Sequence, residues 1–248
     1  MERRVKIVTT LGPAVIPSAE NPGRLEELMA AGADVVRINA AHGAVEFRAR
    51  LVRDVRAAAA AVGKRVPILL DLQGLKIRTG PLAEGSAPVP FARGSSVKLL
   101  PNPDVTKDGQ IGINYADLLK VVSPESRVLI ADGLIELLVE KVNSDHAIAV
   151  VSRGGLLLGR QGVTLPGAPI KGGALTEADR VDVKFAVEHG IDYLGLSFIN
   201  DAGDLALTRE VARSCDGPVP GIISKIERPE ALNNLREIAG SSDGIMVA

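Results

Sequence analysis

Apolar positions recur along this chain with two periods, and the change from one to the other divides it into three stretches. Residues 5–10 form a short β-branched run closed by Leu11-Gly12-Pro13, a strand followed by a breaker. Leu25, Leu28 and Met29 repeat at helical spacing and end at Gly32, a residue common just past a helix end. The chain then returns to the core at Val35-Val36-Arg37-Ile38. Over 45–62 Val45, Phe47, Leu51, Val52, Val55 and an alanine run predict a long amphipathic helix closed by Gly63, and 67–71 predicts the next strand. Strand, helix, strand, helix, strand implies a parallel sheet.

From Gly80 to about Pro166 the helical period disappears. Residues 95–100, 127–130, 134–142 and 147–151 read as strands, with Asp132-Gly133 as a hairpin signal and Gly154-Gly155 as a further turn. One or two helical turns are expected within 115–122. Connectors between strand and helix usually run to about 2 to 6 residues, so this block reads as an inserted small β domain. After Pro166-Gly167 the alternation resumes. Thr176-Glu-Ala-Asp179 fits a capping-box start, with Asp where Glu is usual, for a helix ending at Gly190. Strands are expected over 191–197, 219–225 and 244–247, with helices over 201–213 and 229–238. That makes six core strands, two units short of a closed eight-fold barrel, and the chain stops at Ala248 in mid-strand.

Composition narrows the partners. The 248 residues are 46% hydrophobic, enough for one large core or a core and a small satellite. Basic and acidic residues nearly cancel, 29 against 30, so any anion site is local and no nucleic-acid footprint exists. Two Tyr, four Phe and no Trp offer little for stacking on bases. Cys215 is the only cysteine, which removes a disulfide framework and suits a reducing cytosol. With neither a signal-length nor a membrane-length apolar run, a soluble cytoplasmic protein without membrane partners is expected. No Gly-x-Gly-x-x-Gly fingerprint or Walker loop supports a doubly wound nucleotide-binding sheet.

The stretch Gly221-Ile-Ile-Ser-Lys-Ile-Glu-Arg-Pro229 carries the chemistry. Side chains two apart on a strand point the same way, which places Lys225 and Glu227 together at a strand's carboxyl end. A cation beside a carboxylate there can hold a divalent metal and an anionic substrate together. An ordinary surface ion pair is the alternative on these residues alone.

Four segments, in order, decide between them. Arg37-Ile-Asn-Ala-Ala-His-Gly43 resembles the Arg-x-Asn-Phe-Ser-His-Gly motif of pyruvate kinases. Asp71-Leu-Gln-Gly-Leu-Lys-Ile-Arg-Thr-Gly80 resembles their Asp-Thr-Lys-Gly-Pro-Glu-Ile-Arg-Thr-Gly. Gly162-Val-Thr-Leu-Pro-Gly167 with Leu175-Thr-Glu-Ala-Asp179 is similar to the family's re-entry into the barrel. Ile223-Ser-Lys-Ile-Glu227 and Ser242-Asp-Gly-Ile-Met-Val-Ala248 are similar to its catalytic strands. The resemblance implies an α/β fold, an incomplete (β/α)8 TIM-type barrel over 1–80 and 166–248, with an inserted small β-barrel lid over 81–165. It also implies transfer of phosphate from phosphoenolpyruvate to ADP, giving pyruvate and ATP in glycolysis.

By this resemblance Lys225 and Arg37 are catalytic and bind substrate, Ser197 binds substrate, and His42 and Arg78 meet the nucleotide. Glu227 would hold Mg2+ or Mn2+. Asn39 and Asp71 match ligands of a monovalent cation, whose hydroxyl ligands here are Ala41 and Leu72 and whose neighbouring Glu is Lys76. Lys76 is expected to replace that cation, so no K+ requirement is expected; a solvent-facing Lys76 is the alternative. Structural roles stand beside each assignment: an ion pair for Arg37, a capping or core-edge position for His42, a backbone hydrogen bond for Ser197. Gln161 replaces a lysine near the nucleotide in many relatives. The family continues past Ala248 with its second metal carboxylate, two barrel units and a further domain, and usually forms a homo-oligomer, a tetramer. Little or no activity is therefore expected of residues 1–248 by themselves. The rivals are a non-catalytic or effector-binding fragment and a metal-dependent lyase barrel acting on pyruvate or phosphoenolpyruvate.

Overall fold

The structure, a computed structural model, describes residues 5–12, 15, 23–101, 106–107, 109–168, 170 and 175–247. The chain divides into two units, one of residues 1–75 with 172–248 and one of residues 76–171. The first unit begins with β1 (Val8–Thr10), α1 (Arg24–Ala30), β2 (Val35–Asn39), α2 (Val45–Ala61) and β3 (Ile68–Asp71). The second holds β4 (Val89–Phe91), β5 (Ser96–Leu100), β6 (Gln110–Gly112), α3 (Leu118–Val121), β7 (Arg127–Ile130), β8 (Ile135–Val142), β9 (Ala147–Arg153), β10 (Gly155–Leu157) and β11 (Val163–Thr164). The first unit then resumes with α4 (Glu177–Glu188), β12 (Tyr193–Leu196), α5 (Ala202–Arg213), β13 (Gly221–Ile226), α6 (Pro229–Asn233), α7 (Leu235–Ser241) and β14 (Gly244–Val247).

The six strands of the first unit form one parallel sheet in the order β1-β2-β3-β12-β13-β14. Apart from the place where the second unit is inserted, spatial order follows chain order, as it does in an α/β barrel whose strands are joined through helices. The α/β class with an incomplete (β/α) barrel is thus what the described strands form. The periods explain the layers. On β2, Val36 and Ile38 are buried under the helices while Arg37 and Asn39 share the opposite face. On α2, Leu51, Val52, Val55, Ala58 and Ala59 make the apolar stripe. Strand β3 is buried along its whole length, as a central parallel strand covered on both faces should be. Thr176 and Asp179 form the expected capping box of α4, each side chain bonding the other's backbone N–H.

Two expectations need correction and one strand is additional. The helix expected over 229–238 is two helices, because Asn234 leaves helical geometry with φ −109° and ψ 13°. Gly155 is no turn residue but starts β10, which pairs antiparallel with β4 through Gly155↔Phe91. Strand β4 lay outside the expected strands; it contains Pro90, and proline is confined to edge positions of sheets, which a two-stranded ribbon provides. The other sheet of the second unit runs β11-β7-β8-β9-β5-β6, antiparallel except for the β5/β6 pair. Its strands alternate buried and exposed positions with period two, as on Val128, Ile130, Ile135, Leu137 and Val139. Among the described residues no helix is long and apolar enough to cross a membrane.

Candidate active site

Register brings the first unit's charged side chains to the carboxyl ends of its strands. Asn39 on β2 lies opposite Asp71 on β3, and Asp71 lies opposite Gly195 on β12. Arg37, two residues before Asn39 and on its face, turns its guanidinium onto Asp71: Nε and Nη2 both donate to Oδ2, Nε at 3.0 Å. Its Nη1 donates to Thr10 Oγ1 on β1 at 2.9 Å. Lys225 reaches the same carboxylate from β13, beyond β12, with Nζ 3.2 Å from Oδ1. Neighbouring strands lie about 4.8 Å apart, so this contact spans about 10 Å and must pass over β12. Gly195 permits it, because a Cβ there would sit 2.8 Å from Asp71 Oδ1. Asp71 is buried, and its Oδ1 accepts no well-aligned hydrogen bond among the described residues despite the ion-pair contact.

Lys225 Nζ has two further partners. It donates to Ser197 Oγ at 2.9 Å and lies 3.1 Å from Glu227 Oε1. Ser197, fully buried, donates its hydroxyl proton to the Leu72 carbonyl at 2.8 Å, which turns its lone pairs toward the lysine. Glu227 Oε2 accepts from the Phe198 N–H at 3.0 Å. The chain after β12 is held against the chain after β3 where no side chain fits: a Cβ on Gly74 would meet Phe198 Cδ2 at 2.9 Å and the Ser197 carbonyl oxygen at 3.1 Å. Gly74 has φ +60° and Phe198 φ +55°, the left-handed region that only glycine enters without cost. The ammonium is thus fixed by two carboxylates and a hydroxyl, with 11% of its side chain still exposed to meet a ligand.

The other predicted residues are dispersed. Asn39 Oδ1 accepts from the Ala41 N–H at 2.9 Å, shaping the turn after β2, and His42 is exposed beyond it. Leu72 is buried among core side chains. Arg78 and Lys76 belong to the second unit. Arg78 is exposed, its Nη1 donating to the Arg160 carbonyl at 2.8 Å, and the Lys76 carbonyl accepts from Asn114 Nδ2 at 3.2 Å. Among the described residues no three His, Cys, Asp or Glu side chains cluster as a metal site. Glu227, whose side chain is 17% exposed, could supply one carboxylate to Mg2+, an ion that commonly takes one or two carboxylates and fills its shell with water and substrate oxygens.

Sequence reasoning passed over Thr10, Gly195 and Phe198. Only Gly195 carried a readable signal, a glycine inside an apolar strand pattern, which marks close approach of another group.

A parallel α/β sheet with two cations and two carboxylates gathered at its strand ends, interrupted after the third strand by a β unit, defines an incomplete (β/α)-barrel domain. The chain belongs to the pyruvate kinase family: the family model for the pyruvate kinase barrel domain matches residues 2–248. It is 36% identical over 250 residues to a pyruvate kinase of Geobacillus stearothermophilus, covering 100% of this chain and 42% of that protein. It is 37% identical over 256 residues to pyruvate kinase PKLR of Homo sapiens, covering 99% and 44%. With a pyruvate kinase of Mycobacterium tuberculosis strain H37Rv the identity is 36% over 248 residues, covering 100% and 51%. The chain spans about half the length of the curated relatives it matches.

Proposed function

We propose that the protein transfers a phosphoryl group from phosphoenolpyruvate to ADP, yielding ATP and an enolate that is protonated to pyruvate. The observation that supports it most is the Lys225 ammonium, fixed by Asp71, Glu227 and Ser197 at the strand ends. Phosphoryl transfer asks a protein chiefly for positioning and charge neutralisation, and a pre-oriented ammonium supplies both. Lys225 neutralises the charge that develops on the transferring group and on the enolate oxygen. Arg37 presents a planar fork suited to phosphate oxygens, and Asp71 holds that fork until substrate arrives. Ser197, fully buried, orients Lys225 and so serves substrate binding through it, while His42 and Arg78 meet the nucleotide. Glu227 would hold Mg2+, which when bound screens phosphate charge. Family membership carries the further expectations of a cytoplasmic homo-oligomer.

The test is ADP-dependent pyruvate formation by the full protein, repeated with Lys225→Met. Turnover should fall about 10²- to 10³-fold, the usual worth of one transition-state donor, with little change in the Michaelis constant for phosphoenolpyruvate. A raised Michaelis constant at near-normal turnover would instead make Lys225 a binding residue.

Independence from K+ belongs to the same reading. Ala41 and Leu72 offer no side-chain oxygen to a hard cation, and the Asn39 side-chain oxygen is engaged by the Ala41 N–H. At the position where relatives carry a glutamate beside that cation, this chain carries Lys76, a positive charge of its own. Activity in tetramethylammonium buffer should equal activity in K+ buffer, and strong activation by K+ would rule this out.

A further inference from the structure

We infer that Asp179, the residue that departs from the usual glutamate of a capping box, is a positioning residue for the active site as well as a helix cap. Its carboxylate is fully buried and serves two segments at once. Oδ2 accepts from the Thr176 N–H at 2.9 Å and from the Thr176 hydroxyl at 2.5 Å, closing the first turn of α4. Oδ1 accepts from the backbone N–H groups of Gln73 at 3.0 Å and Gly74 at 3.2 Å, in the segment that leaves β3 directly after Asp71. A glutamate could close the box, but its extra methylene would move the second oxygen away from those amides. The shorter acid is what lets one carboxylate hold both.

The consequence passes to Lys225 through named bonds. With Gln73 and Gly74 pinned, the Leu72 carbonyl is fixed; it takes the Ser197 hydroxyl proton, and Ser197 Oγ then receives Lys225 Nζ. Gly74 lies so close to Ser197 and Phe198 that a shift of 73–74 displaces them too, and the Phe198 N–H is what holds Glu227. Asp179 touches neither substrate nor ammonium. It acts by keeping the exits of β3 and β12 in register, and a misplacement of about 1 Å at a reacting group can cost on the order of 10²-fold in rate.

This inference rests on the function proposed above for its kinetic readout and needs none for its second. In the full protein, Asp179→Ala is compared with Thr176→Ala, which weakens the helix cap but leaves the bonds to Gln73 and Gly74. Asp179→Ala should lower turnover by about 10-fold or more while the phosphoenolpyruvate Michaelis constant stays within about threefold. Hydrogen exchange at Gln73 and Gly74 should accelerate by about 10-fold or more, as expected for amides that lose their acceptor. Thr176→Ala should do neither. If Asp179→Ala does not fold, Asp179→Glu, which can rebuild the cap, carries the same readouts. Equal turnover in the two alanine variants at matched stability, or unchanged exchange at 73–74, overturns the proposal. A wild type that forms no pyruvate would reject the assigned reaction and leave the exchange measurement to judge Asp179.

Discussion

Two sets of charged side chains in the first unit, one between α2 and α4 and one at the strand ends, are built differently. Between α2 and α4, Arg48 and Asp182 form a closed pair: Nη1 lies 2.7 Å from Oδ1, both residues are buried, and the guanidinium carbon sits 5.3 Å over the Phe185 ring centroid. Arg48 also donates to the Ala40 carbonyl at 3.1 Å, which ties the pair to the turn after β2. At the strand ends, by contrast, Asp71 is shared by Arg37 and Lys225, and Lys225 by two carboxylates. Arg37 and Lys225 there remain partly open to solvent. That pair is sealed from solvent and offers nothing to a ligand, although Arg48 Nε finds no hydrogen-bond partner among the described residues. The set at the strand ends keeps two cations within reach of solvent, which is what the proposed substrate site asks for.

The largest effect should come from opening the closed pair. Arg48→Ala leaves Asp182 buried without its partner, and breaking such a pair typically costs about 3–5 kcal/mol. Replacing both residues, Arg48→Met with Asp182→Leu, should recover most of that loss, because no buried charge is then uncompensated. Denaturant unfolding of the three proteins checks this. A double variant as unstable as Arg48→Ala would mean that packing, not charge, is what Arg48 contributes. Lys225→Met should behave in the opposite way, losing turnover while its unfolding midpoint moves far less than that of Arg48→Ala.

Much of this was legible in the sequence, because the periods that fix the strands also fix the faces. Arg37 and Asn39, or Lys225 and Glu227, share a side for the same reason that Val36 and Ile38 share the other. Local grammar served as well at Thr176 and Asp179, where the capping box formed as expected. What could not be read was contact across strands. That Lys225 of β13 meets Asp71 of β3 depends on register and on the missing side chain of Gly195, neither of which is a local property. The left-handed conformation of Phe198 was hidden for a similar reason, since it is imposed by tertiary contacts on a residue that does not favour it. Strand β4 lay outside the expected strands, and its Pro90 occupies the edge position that a two-stranded ribbon provides.

A smaller effect follows from filling the space over β12. Gly195→Ala places a methyl 2.8 Å from Asp71 Oδ1 and at an ordinary contact distance, 3.4 Å, from Asp71 Cα, so it is the carboxylate that must move. Overpacking of this kind typically costs about 1–3 kcal/mol. If the shared set works as argued, turnover should fall by more than the stability loss accounts for, because Lys225 loses its line to Asp71. Thermal unfolding beside steady-state kinetics decides it. Full turnover in a destabilised variant would show that the contact between Lys225 and Asp71 is incidental to the reaction.

The smallest effect tests whether the closed pair is fully compensated. Burial pushes the Asp182 carboxyl up from its ordinary value, opposed by the attraction and hydrogen bond of Arg48, and nearby Asp179 adds to the rise. A carboxyl whose folded value lies above its unfolded value holds a proton in the folded state at pH values where the unfolded chain has released it. Unfolding then releases protons, so this contribution to stability is present below the ordinary carboxylate range and is lost as pH rises through the raised folded value. The slope can be no steeper than about 1.4 kcal/mol per pH unit, the limit for a single proton. Asp182→Asn cannot titrate, so the comparison isolates the Asp182 carboxyl together with the charges coupled to it. The difference in unfolding free energy, wild type minus variant, should therefore decline as pH is raised from the ordinary carboxylate range through the window just above it. A flat difference would mean that Arg48 repays the whole cost of burying Asp182, and a rising one that the pair favours the ionised carboxylate in the folded state.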